Sequence, residues 1–273
     1  MNEMQLNQKE YKMIRGLIYD KFGISLNEQK RSLITGRLQH VLQQGGFNSF
    51  KDYYHYVVSE KSGSALLALI DRISTNHTYF FREKDHFDFI KETFLPQVTK
   101  SLERQYDKEL KIWCAGCSSG EEPYTAAMVV LENMSQGLDF KILATDISVS
   151  SLDKAMKGTY TKEQLETVPQ SYYQKYFVSV GGGAWTIHQN VKNKVLFRRL
   201  NLIQDNYPFK GKFNVIFCRN VMIYFDSPTR QSLLERFYRY LEPDGYLFIG
   251  HTETIDRSLG FFKYIKPATY QKI

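Results

Sequence analysis

Residues 111–124 read K-I-W-C-A-G-C-S-S-G-E-E-P-Y, a set of residue types from which a nucleoside site can be built. Small residues from 115 to 120 let a ligand approach the backbone, and the helix start that follows offers free N–H groups. The dinucleotide spacing G-x-G-x-x-G is absent, because no glycine stands between Gly116 and Gly120. Glu121 and Glu122 occupy the place of a pyrophosphate and would repel one. A cationic nucleoside without phosphate suits these residues better, and S-adenosylmethionine (SAM), with its sulfonium and ammonium groups, is such a ligand. Asp146 ends the next apolar run, residues 141–146, where a carboxylate can accept from both ribose hydroxyls. Capping of the following helix by Asp146 stands beside that reading.

Such residues require a parallel sheet with helices on its faces. Ile112-Trp113-Cys114 reads as a strand, and Ala126, Ala127, Val130 and Leu131 have helical spacing behind the loop. Short apolar runs at 195–197, Phe213–Cys218 and 246–249 read as further parallel strands. Helices are expected at 85–102, Val149–Lys157 and 228–241, the last ended by Pro243-Asp244-Gly245, with a closing antiparallel pair at 261–265 and 268–272. Around Gly181-Gly182-Gly183 the runs at 178–180 and 185–187 make a hairpin, so a small β subdomain is expected to be inserted at about 160–195. The expected class is α/β, a Rossmann-like methyltransferase domain over residues 73–273 preceded by an all-α domain over residues 1–72.

In that first domain Tyr11, Ile14, Leu17 and Ile18 share one helical face, which Gly23 ends. Asn27 is placed to cap a second helix with the apolar stripe Leu33, Ile34, Leu38, Val41 and Leu42. Lys30, Arg31 and Arg37 then project elsewhere, either as a solvated face or as a docking surface.

Composition sets the limits. With 42% hydrophobic and 24% charged residues, the 273-residue chain can bury a core without disulfides or metals. The net charge of +7 points to an anionic partner. No apolar run of transmembrane length and no leader pattern are seen, so a cytoplasmic protein with no membrane insertion is expected. Cys114-x-x-Cys117 lacks the two further ligands that zinc would need, and no metal is expected. Asn76-His77-Thr78 is formally a glycosylation sequon, which a cytosolic chain would not use.

Six motifs in order make the chain resemble the CheR family of chemotaxis receptor methyltransferases over nearly its whole length: S-T-N-H-T-Y-F-F-R, A-G-C-S-S-G-E-E-P-Y, A-T-D-I, N-L, F-C-R-N-V-M-I-Y-F and P-D-G-Y-L-F-I-G-H-T-E. The resemblance implies transfer of a methyl group from SAM to glutamate side chains of chemoreceptor helices, leaving S-adenosylhomocysteine. It implies a SAM site lined by Asn76, Thr78, Arg82, Glu121, Asp146, Asn201, Leu202, Arg219 and Asn220. Tyr224 and Arg82 are the implied catalytic residues, with core packing the other reading of Tyr224. Lys30, Arg31 and Arg37 would guide the receptor, and a monomer is expected. His77, Tyr79, Cys114 and Cys117 depart from the usual pattern without removing a contact.

Two other readings compete with this one. A nucleic-acid methyltransferase of the amino-methylating kind would show an acid or amide followed by Pro-Pro-aromatic after the fourth strand. Arg219-Asn220-Val221-Met222 stands there instead, so no nucleic-acid partner is expected. A non-catalytic SAM-sensing module is the other, opposed by the intact Glu121, Asp146 and Tyr224.

Overall fold

The computed structural model describes residues 4–102, 109–135 and 137–273. Helices α1 (Gln8–Phe22), α2 (Arg31–Gly45), α3 (Phe50–Ser59) and α4 (Ser64–Ile73) form the N-terminal part. A reciprocal cap opens α1: the Asn7 side chain accepts from the Glu10 amide at 2.9 Å, and Glu10 accepts from the Asn7 amide at 3.0 Å. Left-handed Gly23 closes it, so close to Ile203 that a Cβ there would lie 2.6 Å from the isoleucine Cγ2. Tyr11, Ile14 and Ile18 pack with Ile34, Leu38 and Leu42 of α2 and with Leu69 and Ile70 of α4 in one core. Each such aliphatic side chain contributes roughly 1.5–3 kcal/mol on burial.

Two local expectations change here. A 3₁₀ turn, Glu28–Lys30, precedes α2, and Asn27 makes no side-chain cap. Leu33 leaves the expected stripe and is 39% exposed, facing the cavity described below.

The remaining chain runs through α5 (Lys84–Phe89), a π-turn (Ile90–Phe94) and α6 (Leu95–Leu102) into β1 (Glu109–Ala115) and α7 (Glu121–Asn133). It continues with β2 (Asp139–Asp146), α8 (Val149–Lys157), β3 (Thr159–Thr161), α9 (Gln170–Tyr176), β4 (Phe177–Gly181) and β5 (Ala184–Ile187). Then come α10 (Gln189–Lys192), β6 (Val195–Arg199), β7 (Phe213–Cys218), α11 (Ser227–Tyr240), β8 (Leu241–Ile249), β9 (Phe262–Lys266) and β10 (Thr269–Lys272).

The main sheet has the order β6-β2-β1-β7-β8-β10-β9, parallel from β6 to β8 and antiparallel at β10 and β9. β1 shows why both faces need cover: Ile112 and Cys114 belong to one core, and Trp113 and Ala115 to the other. The order reverses between β1 and β7, and a crevice opens at such a switch point. β3, β5 and β4 form a separate antiparallel sheet.

The helix α11 ends at Tyr240, before Pro243-Asp244-Gly245 as expected, but β8 starts directly at Leu241 and includes these three residues. Asp244 takes a left-handed φ of 58°, and the register against β7 shifts between Phe213 and Val215, so a bulge absorbs the Pro-Asp-Gly sequence.

Candidate active site

A cavity of about 320 Å³ lies outside the carboxyl ends of β1, β2 and β7, against the switch point. The loops after those strands form its floor; the linker 74–82 and, from the N-terminal part, Phe22 of α1, Ile24 and Leu26 of the connection that follows it and Leu33 of α2 form its roof. The two parts are sewn together at this place. Ser25 N–H donates to the Tyr224 carbonyl at 2.8 Å, Ile24 bridges Phe225, and Asn201 Nδ2 donates to the Lys21 carbonyl at 2.8 Å.

The glycine loop is shaped by its own backbone. Gly116 and Cys117 N–H both donate to the Thr145 carbonyl at 2.8 and 2.9 Å. Gly116 has a φ of 95°, and a Cβ on it would lie 2.4 Å from Val221 Cγ2, so the two loops touch where a side chain cannot fit. Asp146 Oδ2 accepts from Ser118 N–H at 2.8 Å and Oδ1 from Ser148 N–H at 2.9 Å. The cap of α8 is Ser148, which accepts from Ser151 N–H. Asp146 therefore braces the loop while lining the cavity. Burial raises its pKa against the opposing backbone hydrogen bonds, and each oxygen keeps a lone pair for a hydroxyl donor.

Glu121 does not line the cavity, contrary to expectation. Its carboxylate is buried beside Ser119, whose hydroxyl donates to it at 2.8 Å, and burial raises its pKa. Glu122 lines the cavity instead. Burial raises the Glu122 pKa, and Arg219, with Nη1 at 3.5 Å, opposes that shift.

Arg219 is itself confined. Nε lies 3.1 Å from Glu83 Oε2, Nη2 donates to the Arg82 carbonyl, and the guanidinium stands 5.4 Å from the Phe87 ring centre. Asn220 N–H donates to Glu253, and its Nδ2 is 3.5 Å from Glu83 Oε1. Its Oδ1 is buried at the cavity wall without a hydrogen-bond partner. An orphaned acceptor of this kind calls for a donor from a ligand.

Asn76, Thr78, Arg82, Asn201, Leu202 and Tyr224 all line the cavity as well. Asn76 Nδ2 donates to Ser151 Oγ at 2.8 Å, which ties the linker to α8. Arg82 gives Nη1 to the His77 carbonyl at 2.9 Å and stacks on Tyr79, leaving other donors of its fork for a carboxylate. It is held between left-handed Phe81 and Glu83. Of the six non-glycine residues with positive φ among those described, four (Phe81, Glu83, Ser118 and Asn220) stand on loops around the cavity. Such backbone costs on the order of 1–3 kcal/mol per residue and persists where the surroundings impose it.

The basic cluster divides. Arg31 donates Nε to the Leu6 carbonyl at 2.9 Å and Nη1 to Gln8 at 3.0 Å. Arg37 donates to the carbonyls of Ile73 and Ser74 and to the Thr75 hydroxyl. Both guanidiniums thus fasten backbone segments within the protein rather than projecting from it. Lys30 alone of the three is exposed, at the cavity rim.

Glu83, His86 and His251 place ligand atoms within 4.8 Å of one another, but their surroundings oppose a further cation. Arg219 already holds Glu83, and burial, followed by Arg219, His251 and Lys266, depresses the His86 pKa to about 2. The three cysteines are buried and free, and burial pushes the Cys114 and Cys117 thiols well up, against redox chemistry. Glu83 and Glu253 were missed as site supports. Glu83 directly follows the F-F-R motif and Glu253 ends G-H-T-E, but neither position announces a carboxylate with partners in a distant loop.

The donor set fits SAM: Asp146 for ribose hydroxyls, Glu122 and the Asn220 side chain for cationic or N–H groups, and Arg82 for a carboxylate. Comparison with known proteins gives the family. Residues 76–270 match the family model described as CheR methyltransferase, SAM binding domain, and residues 9–74 match CheR methyltransferase, all-alpha domain. The chain is 43% identical to a chemotaxis protein methyltransferase of Borreliella burgdorferi over 98% of this chain and 96% of that one. It is 36% identical to a chemotaxis protein methyltransferase of Escherichia coli, over 92% and 86% respectively. Among solved structures, the N-methyltransferase NodS of Bradyrhizobium japonicum superposes with a TM-score of 0.38 at 10% identity, over 67% of this chain and 98% of that one, too loosely to carry an argument.

Proposed function

The chain belongs to the CheR methyltransferase family, a SAM-dependent enzyme family, and from that membership we propose that it methylates glutamate side chains of chemoreceptor helices. The observation that carries this reading is the cavity itself, where a braced Asp146, an ion-paired Glu122 and the unpartnered Asn220 oxygen surround one space beside Tyr224. Bound SAM supplies a methyl carbon on a sulfonium. Asp146 takes the ribose hydroxyls, Arg82 the amino-acid carboxylate, and Glu122 the ammonium group.

The acceptor needs little help. A glutamate carboxylate is a nucleophile at neutral pH, so no general base is required and alignment of oxygen, carbon and sulfur is the main task. The Tyr224 hydroxyl orients the incoming carboxylate, and the apolar roof of Ile24, Leu26 and Leu33 keeps water away. Residues 1–72 dock the receptor, and the working unit is a monomer without affinity for nucleic acid. Among the described residues no helix is long and apolar enough to cross a membrane.

The test is transfer of a tritiated methyl group from SAM to receptor cytoplasmic fragments, RNA and DNA in parallel. Label on the receptor alone, released as methanol by mild alkali, is the expected result, because an ester hydrolyses there and an N-methyl group does not. Alkali-stable label, or label on nucleic acid, would overturn the proposal.

A further inference from the structure

Glu253 follows β8, is only 7% exposed, and does not line the cavity. Its carboxylate nonetheless gathers backbone donors from two loops. Oε2 accepts from Asn220 N–H at 2.9 Å and Gly250 N–H at 2.6 Å, and Oε1 accepts from Ile223 N–H at 3.1 Å. Gly250 allows this closeness, since a Cβ there would lie 2.4 Å from Asn220 Nδ2 and 2.9 Å from Asn220 N. The turn after β7 is thus pressed against the turn after β8 with the Glu253 carboxylate between them.

The residues held in this way are the ones that face the cavity. Asn220, in the left-handed region at φ 59°, lines the cavity, and its Oδ1 is buried without a hydrogen-bond partner. Tyr224 ends the 3₁₀ turn that Ile223 N–H anchors, with its own N–H on the Val221 carbonyl at 3.1 Å. An ionised carboxylate this deep costs several kcal/mol unless it is hydrogen-bonded. Three amides meet that need, and a neutral amide of the same shape would set an NH₂ donor against N–H donors.

We propose that Glu253 is a positioning residue for methyl transfer, fixing through backbone hydrogen bonds the turn that presents Asn220 and Tyr224 to the reacting groups. This rests on the reading of Tyr224 as the group that orients the acceptor carboxylate. A purely structural Glu253 would change stability and leave the turnover of the folded fraction intact.

The experiment is a double-mutant cycle on the full chain with Glu253→Gln, Tyr224→Phe and both together, assayed at saturating SAM and receptor fragment. Glu253→Gln is expected to fold and to lower kcat roughly tenfold to a hundredfold, the range that small misplacements of reacting groups produce. The double variant should lose no more than the worse single one, since both changes act through one hydroxyl. Wild-type kcat in folded Glu253→Gln, or losses that multiply in the double variant, would overturn the proposal. Wild-type kcat in Tyr224→Phe alone would overturn the tyrosine reading instead; Glu253 then stands or falls on whether Glu253→Gln weakens SAM binding through Asn220. If Glu253→Gln fails to fold, the shorter acid Glu253→Asp takes its place in the cycle with the same outcomes for kcat, and amide exchange in the wild-type chain tests the hydrogen bonds themselves. Protection of Asn220 and Ile223 equal to that of the neighbouring β7 amides is expected, and rapid exchange at either would sink the idea.

Discussion

The two loops that meet at the switch point divide support and recognition differently. At the loop after β1, one residue does both: Asp146, at the end of β2, accepts the amides of Ser118 in that loop and of Ser148 and also faces the cavity. In the turn after β7 the tasks are separate, since Glu253 and Glu83 hold it from behind while Asn220 and Tyr224 face the ligand space. A substitution in the first loop must disturb binding and shape together, whereas in the second they can be altered one at a time. That difference sets the size of the effects to be measured.

The largest is expected for Asp146→Ala, which removes a charged acceptor from the ligand and from two loop amides at once. SAM affinity should fall by about 1.5–3 kcal/mol, the usual cost of such a partner, together with a lower unfolding midpoint. Calorimetry that finds unchanged SAM affinity in the folded variant would take Asp146 out of the site and erase the contrast.

Behind the turn after β7 lies an acid weakness. Burial depresses the His86 pKa from 6.5 to about 2, so the unfolded chain takes up this proton below pH 6.5 while the folded chain refuses it. Stability supplied by neutral His86 is therefore full above pH 6.5 and is lost progressively as pH falls from there toward 2. Between pH 7 and pH 5 that amounts to about 2 kcal/mol. His86→Leu should remove this part of the slope, measured by urea unfolding at the two pH values. An unchanged slope would mean that His86 is protonated in the fold beside Glu83.

The glutamate pair tests the first loop more finely. Glu122→Gln should weaken SAM binding by roughly 1.5 kcal/mol, and Glu121→Gln should leave it nearly unaltered, since Glu121 bonds to Ser119 outside the cavity. The reverse order would restore the assignment made from sequence.

What the sequence conveyed and what it hid follow the same physical line. The glycine loop, the strand ends carrying Asp146 and Arg219-Asn220, and the linker to Arg82 were legible because small residues, apolar runs and polar ends are local signals. The choice between Glu121 and Glu122 was not, because α7 is buried on almost every side and offers no polar face to orient its first turn. Nor was the fate of Arg31 and Arg37, since helical periodicity marks a residue as outward without showing that the carbonyls of Leu6 and Ile73 wait above it. Glu253 and Glu83 are harder still, because their partners are backbone amides and an arginine that only the folded chain brings near.

The smallest effect separates Lys30 from its two neighbours. Arg31 and Arg37 spend their charge on backbone carbonyls, so replacing them by glutamine should lower the unfolding midpoint and leave receptor kinetics alone. Lys30 is exposed on the 3₁₀ turn at the cavity rim, where a glutamate-rich receptor helix would pass on its way to Tyr224. Exposed pairs of this kind are worth less than about 1 kcal/mol, so Lys30→Gln should raise the receptor KM only about twofold to fivefold at low salt. Screening acts over ~8 Å at physiological ionic strength, and the gap between wild type and variant should close as salt is added, with SAM affinity and unfolding midpoint unchanged. Parallel salt curves, with the same KM ratio at low and high ionic strength, would show that Lys30 is part of a solvated face and that receptor guidance comes from elsewhere on the helices.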